Sequence, residues 1–229
     1  MQLEVFDDAD SVAQEAAAAI AADARSAIAA RGRYALAVSG GHTPWIMLRA
    51  LANEDVSWAG VDIFQVDERI APDGDPDRNL THLRESFLEH VPMRPEQVHA
   101  MPVESSDLEQ ASAQYALTLP SMLDLVHLGL GPDGHTASLV PGDPVLKITN
   151  ADVGITGAYQ GRRRMTLTYP AINRARRILW VVTGPDKTPM FHRLLDGDES
   201  IPAGRVRRDQ AVAMADRAAA GDRPLEAKS

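Results

Sequence analysis

The stretch Asp124-Leu-Val-His-Leu-Gly-Leu-Gly-Pro-Asp-Gly-His-Thr-Ala-Ser138 constrains the chain most. It begins as an apolar run with the length of a buried strand, then breaks into glycine, proline, aspartate and histidine. A buried strand that ends in a polar turn is where an open α/β sheet places its ligand. The turn brings Asp133 and His135 together at the mouth of such a sheet, and a neutral imidazole there can accept a proton near pH 7.

The rest of the chain supplies a sheet for that strand to join. Strands are expected at 3–6, 34–38, 61–66, 98–101, 125–130, 165–168 and 177–183. Helices are expected at 11–30, 45–51, 80–88 and 108–119, with another following Gly184-Pro-Asp-Lys187 and running through Leu195. The alanine-rich segment 11–30 repeats Val12, Ala16, Ile20, Ala24 and Ile28 at helical spacing, and Gly32 stops it. Strand and helix alternate, which predicts an α/β fold with a Rossmann-like, mainly parallel sheet covered by helices on both faces. One domain is expected over residues 1–229, with residues 211–215 as a last edge strand and about 217–229 as a frayed tail. Residues 147–161 read as an irregular excursion.

Composition limits the chemistry. The 229 residues are 45% hydrophobic, enough for a full core, and contain no cysteine, so thiolate nucleophiles and Cys-based zinc sites are excluded. The net charge of −9 argues against a nucleic-acid partner. The N-terminus lacks a basic segment followed by a long apolar one, and no apolar run suits a bilayer. The expectation is a cytoplasmic protein with no membrane partner, with both a monomer and a homodimer left open.

Four strand ends carry polar groups. Ser39-Gly40-Gly41-His42-Thr43-Pro44 follows a strand and opens a helix, where free amides and the helix dipole favour an anion. Asp67-Glu68-Arg69 ends the third strand, with Asn79 at the start of the next helix. That triplet reads either as site residues or as a salt-bridged strand end capping a neighbouring helix. Lys187 stands at a fourth strand-to-helix junction, and Arg162-Arg163-Arg164 precedes a strand. Gly129-x-Gly131-x-x-Gly134 matches a dinucleotide fingerprint in letters only, because Asp133 would face the pyrophosphate. Ser39 lacks the glycine two residues earlier that a nucleophile elbow needs; Ala37 stands there. It reads better as a hydroxyl donor to phosphate. A metal site is not favoured. Together the strand ends suggest a small phosphorylated substrate and acid–base or hydrolytic chemistry without a cofactor.

The motifs Ser39–Pro44, Val66-Asp-Glu-Arg69, Gly129–Ser138 and Met165-Thr-Leu-Thr168 resemble the 6-phosphogluconolactonase family, in a superfamily shared with glucosamine-6-phosphate deaminase. The resemblance implies hydrolysis of 6-phospho-D-glucono-1,5-lactone in the pentose phosphate pathway, with no metal or nucleotide. It implies His135 as general base, helped by Arg69, Asp67 and Asp133. Ser39, Gly40, Gly41, Thr43, Asn79, Arg164 and Lys187 would bind substrate. The deaminase pattern carries glutamate where this chain has Val140, and tyrosine where it has Arg69. Both departures favour the lactonase. A deaminase-like isomerase and a non-catalytic sugar-phosphate sensor on the same fold are the alternatives; the presence of His135 and Arg69 favours an enzyme over the sensor.

Overall fold

The computed structural model describes residues 1–222. In chain order the elements are β1 (Gln2–Phe6), α1 (Ala9–Arg31), β2 (Tyr34–Val38), α2 (His42–Leu51), β3 (Val61–Gln65), β4 (Asp67–Arg69), α3 (Asn79–Ser86), β5 (Val98–His99) and α4 (Leu108–Thr118). They continue with β6 (Leu125–Leu128), β7 (Val153–Ile155), β8 (Arg164–Leu167), α5 (Tyr169–Asn173), β9 (Arg177–Val182), α6 (Thr188–Asp196), β10 (Ala211–Asp216) and α7 (Arg217–Ala220). Among these residues no helix is long and apolar enough to cross a membrane.

Seven strands form a wholly parallel sheet in the order β1-β10-β9-β6-β2-β3-β5. Strand periodicity sorts the core into two layers. Tyr34, Leu36 and Val38 of β2 join the buried residues of α1 to α3 on one face, while Ala35 and Ala37 join those of α4, α5 and α6 on the other. Helices therefore cover both faces, as expected. Asp8 caps α1 by accepting the Ser11 amide, and Gly32, with φ +76°, closes it through its N–H to the Ile28 carbonyl.

Three features depart from the expectation. β10 is not an edge strand; it lies between β1 and β9, and the edge is β1. Every residue of β10 except Val212 is buried, which suits a strand paired on both sides. The proposed tail starts too early. Asp216 caps α7 through the Ala219 amide, Ala219 and Ala220 are buried, and residues 223–229 lie outside the described residues. Finally, segment 147–161 contains β7, and β4-β8-β7 make a second, antiparallel sheet. Residues 61–69 are thus not one strand with a polar end. β3 stays in the main sheet, and β4 leaves it to pair with β8.

Strand order places the site. From β2 the chain builds outward through β3 and β5; it then returns to β6 on the other side of β2 and builds the opposite way through β9 and β10. The switch falls between β2 and β6, so a crevice opens beyond their carboxyl ends. The glycine turn after β2 and the histidine turn after β6 face each other across it.

Candidate active site

A cleft of about 420 Å³ occupies that crevice, lined by residues 39–44, Asp67, Arg69, Asn79, residues 129–132, His135, Ala137, Arg164, residues 181–183 and Lys187. Of the residues predicted for the site, all but Asp133 line it; Asp133 stands behind His135.

The histidine turn is fixed locally. The Gly131 amide donates to the His135 carbonyl at 2.8 Å, and the Gly134 amide to the Gly131 carbonyl at 3.0 Å. A Cβ on Gly131 would lie 2.0 Å from His135 Nδ1, so the imidazole packs directly against bare backbone. His135 Nδ1 sits 2.5 Å from Asp133 Oδ1. Burial acts to raise the Asp133 carboxyl, but its bonds with His135 and Tyr159 outweigh this and hold it below the usual carboxylate range. An ionised carboxylate only accepts, so Nδ1 carries the hydrogen and Nε2 is left as the basic nitrogen.

Opposite, α2 starts at His42, three residues before the expected start. Gly41 is its N-cap, at φ +132°. The amides of His42 and Thr43 therefore lie in the first helical turn with no carbonyl one turn back to receive them, and Pro44 has no amide to satisfy. The Thr43 hydroxyl lies 2.6 Å from that of Thr183, at the end of β9. Ser39 departs from expectation. Its hydroxyl donates to the His127 carbonyl at 2.9 Å and the residue is 4% exposed, so this side chain anchors the turn rather than offering a hydrogen to an anion. Loop amides are the donors left.

The Asp67-Glu68-Arg69 triplet divides, because adjacent strand residues face opposite ways. Glu68 turns inward, pairs with buried Arg78 at 3.1 Å, and accepts the Asn79 and Leu80 amides at the start of α3. Asp67 and Arg69 turn to the cleft. Asn79 ties them together: its Nδ2 donates to the Asp67 carbonyl at 2.9 Å, and its Oδ1 accepts from Arg69 Nη1 at 2.6 Å. A Cβ on Gly40 would fall 2.1 Å from that Oδ1, so the glycine turn and this bracket require each other. Ser138 Oγ donates to Asp67 Oδ2 at 2.5 Å.

The arginine run divides. Arg162 pairs with Asp75 and Asp77 on the surface, Arg163 donates to the Thr156 carbonyl, and only Arg164 enters the cleft. Burial lowers the Arg164 guanidinium from its ordinary value; Asp67 opposes that shift and Arg69 adds to it. At the far side Lys187 is half-buried, 3.1 Å from Asp186.

The sequence matches the family described as glucosamine-6-phosphate isomerases/6-phosphogluconolactonase over residues 7–214. The chain belongs to that family. A 6-phosphogluconolactonase of Streptomyces coelicolor is 34% identical, with 97% of this chain and 95% of that protein covered. One from Mycobacterium bovis is 33% identical, with 97% and 98% covered. Among solved structures, a 6-phosphogluconolactonase from Shewanella baltica shares 26% identity at a TM-score of 0.84, covering 94% of this chain and 97% of that one. A monomeric glucosamine-6-phosphate deaminase, at 20% identity, 96% and 99% coverage and a TM-score of 0.86, shares the fold.

Sequence reasoning missed one residue lining this family member's cleft and several that support it. Thr183 stands one residue past a strand, a position that merits attention in such a sheet. Ser138 lies inside the histidine motif. Tyr159 carried no signal, because the hairpin that presents it was not recognised. His127, fully buried on β6, accepts the Ser39 amide through Nδ1 at 3.3 Å.

Burial pushes the His127 imidazolium down to about 3. The unfolded chain then binds a proton that the folded chain refuses, so stability is complete above the unfolded value of about 6.5 and falls as pH drops below it. Compared with His127→Asn, which keeps an acceptor near Nδ1, the wild type should lose about 2 kcal/mol more between pH 7 and pH 5. Urea unfolding at the two pH values checks this; equal losses would contradict a neutral buried ring.

Proposed function

We infer that this protein hydrolyses 6-phospho-D-glucono-1,5-lactone to 6-phosphogluconate, the lactone step of the pentose phosphate pathway. The observation that carries the reading is the Asp133–His135 pair facing a helix-opening glycine turn across one cleft. The family and the full-length 6-phosphogluconolactonase relatives support the same activity.

In this reading His135 Nε2 takes a proton from water as the water oxygen bonds to C1. The electron pair of the carbonyl moves onto its oxygen, where Arg69 stabilises the charge. Collapse of that intermediate breaks the bond from C1 to the ring oxygen, and the imidazolium returns the proton to the departing oxygen. Asp133 holds the imidazole and steadies its cation. Asn79, itself anchored on Asp67, holds Arg69 in place, and Arg164 adds positive charge to the floor. The 6-phosphate rests on the amides of Gly40, Gly41 and Thr43, with Lys187 as its counter-charge. Gripping that remote group positions the reacting carbon. Val140 is buried and apolar where a deaminase would need its glutamate. Nothing in the mechanism calls for a metal, a nucleotide, a nucleic acid or a membrane, and the pathway fits a cytoplasmic setting.

Acid release from freshly generated lactone, followed continuously above the spontaneous rate, tests the reading. Acceleration is expected, with no ammonia from glucosamine 6-phosphate; a spontaneous rate with enzyme present would end it. Lys187→Ala should raise KM about 10- to 100-fold with kcat nearly unchanged, as loss of one hydrogen bond to a charged group predicts. Initial rates across lactone concentration separate the two constants.

A further inference from the structure

We propose that Tyr159, at the tip of the β7–β8 hairpin, is a positioning residue that sets the orientation and basicity of the His135–Asp133 pair. The proposal deepens the lactonase reading and rests on it for its kinetic predictions.

The tip is built to hold one side chain in place. Tyr159 and Arg162 bond to each other through both backbone groups, at 2.9 and 3.2 Å. Between them Gln160 and Gly161 have φ of +51° and +79°. Two successive positive φ values are the signature of the two-residue turn that matches strand twist, so the tip is a tight hairpin. Arg162 then fastens the hairpin to the loop before α3 through Asp75 and Asp77, and Arg69 donates to the Asp77 carbonyl of the same loop.

From that fixed tip the Tyr159 hydroxyl donates to Asp133 Oδ2 at 3.0 Å. This is the carboxylate oxygen that His135 leaves free, since Nδ1 takes Oδ1. The His135 amide also donates to Oδ1, at 3.2 Å, so Tyr159 is the partner that holds the second oxygen and with it the carboxylate plane. The phenol ring also meets the imidazole edge-on, with centroids 5.3 Å apart and planes at 68°. The Arg164 guanidinium lies over the same ring, 5.1 Å from its centroid. Tyr159 therefore touches the acid–base pair and one cleft arginine at once. Burial and then Asp133 raise its phenol, so it stays a donor at working pH.

The hydroxyl has a defined electronic effect. It draws charge from Asp133, so that carboxylate stabilises the imidazolium less than it would alone. Removing the hydroxyl leaves Asp133 a stronger acceptor and His135 a stronger base that is worse aimed. The other charged or titratable groups lining the same cleft are His42 at the start of α2, Arg164 on β8, Asp67 and Arg69 on β4, and Lys187 beyond β9. Of these, Arg164 has a minor charge interaction with the phenol, which the deletion also removes.

Tyr159→Phe keeps the ring and deletes the bond. It should lower kcat about 3- to 10-fold, the worth of one hydrogen bond, with KM within about twofold. The acidic limb of kcat/KM should move to higher pH. Tyr159→Ala should lower kcat further and raise KM as well, because Arg164 loses its ring. NMR titration of the His135 imidazole, assigned by its loss in a His135 variant, should show the same upward move in Tyr159→Phe. That readout needs no turnover, so it stands even if the wild type fails to hydrolyse the lactone, and the two failures can be told apart. A Phe variant with wild-type kcat and an unmoved imidazole titration would overturn the proposal. So would a Phe variant that loses activity with both pH readings unmoved, since that marks a purely structural role.

Discussion

Replacing His135 by alanine should lower kcat by about 10²–10⁴-fold, the usual contribution of a positioned general acid–base group. KM should change little, because the phosphate is gripped elsewhere. The imidazole works in both halves of the reaction, first removing a proton from water and then returning it to the ring oxygen. Loss of either half stalls turnover while leaving the cleft intact. The variant should still fold. His135 sits partly exposed on bare Gly131 backbone, and its removal leaves Asp133 with access to water. A control at the partner separates chemistry from packing: Asp133→Asn keeps the shape but cannot stabilise the imidazolium, and should lose kcat with the same small effect on KM. Steady-state rates on freshly generated lactone read both, with thermal melts to verify folding. Wild-type kcat/KM in His135→Ala would remove the imidazole from the mechanism.

The largest expected effect on stability lies at Glu68. Its side chain is fully buried, with Oε1 accepting the Arg69 and Asn79 amides at 2.8 and 2.7 Å. Oε2 accepts the Leu80 amide at 2.8 Å and Gln65 Nε2 at 2.9 Å, and meets the buried Arg78. Glu68→Ala leaves that guanidinium without its main partner, as well as several donors without acceptors. Breaking one side of such a pair typically costs about 3–5 kcal/mol. At about 2–4 °C per kcal/mol for a chain this size, the melting temperature should fall by about 6–20 °C. Activity should fall with it, because Asp67 and Arg69 flank the lost anchor. A double replacement, Glu68→Leu with Arg78→Leu, should recover much of the stability, since an apolar pair has no uncompensated charge. If the single variant melted within about 2 °C of wild type, the pair would contribute little.

Arg78 shows where sequence reading stops. In the sequence it is one arginine in a polar loop, with no local pattern that assigns it a partner. Packing makes it the buried counter-ion of Glu68. The alternation of the strands, the glycine stop of α1 and the glycine turn before α2 were legible because each is a local property with its own period or backbone demand. The Asp133–His135 pair was legible for the same reason, since its members are two residues apart on one tight turn.

The assignment of β10 to an edge failed because an isolated apolar strand carries no record of its neighbours. Only pairing with both β1 and β9 decides it. The cleft follows the same division. Sequence by itself determined the parallel α/β frame, the family, and which strand ends bring polar groups to the cleft. Tertiary structure decided which atoms are free to use it. It tied the Ser39 hydroxyl to a carbonyl 88 residues away. It split Glu68 from Asp67 and Arg69, admitted one arginine of three, and brought Tyr159 to Asp133 across 26 residues. A periodic pattern reports how a segment meets the core, whereas a hydrogen bond between distant segments exists only once the sheet order has set them side by side.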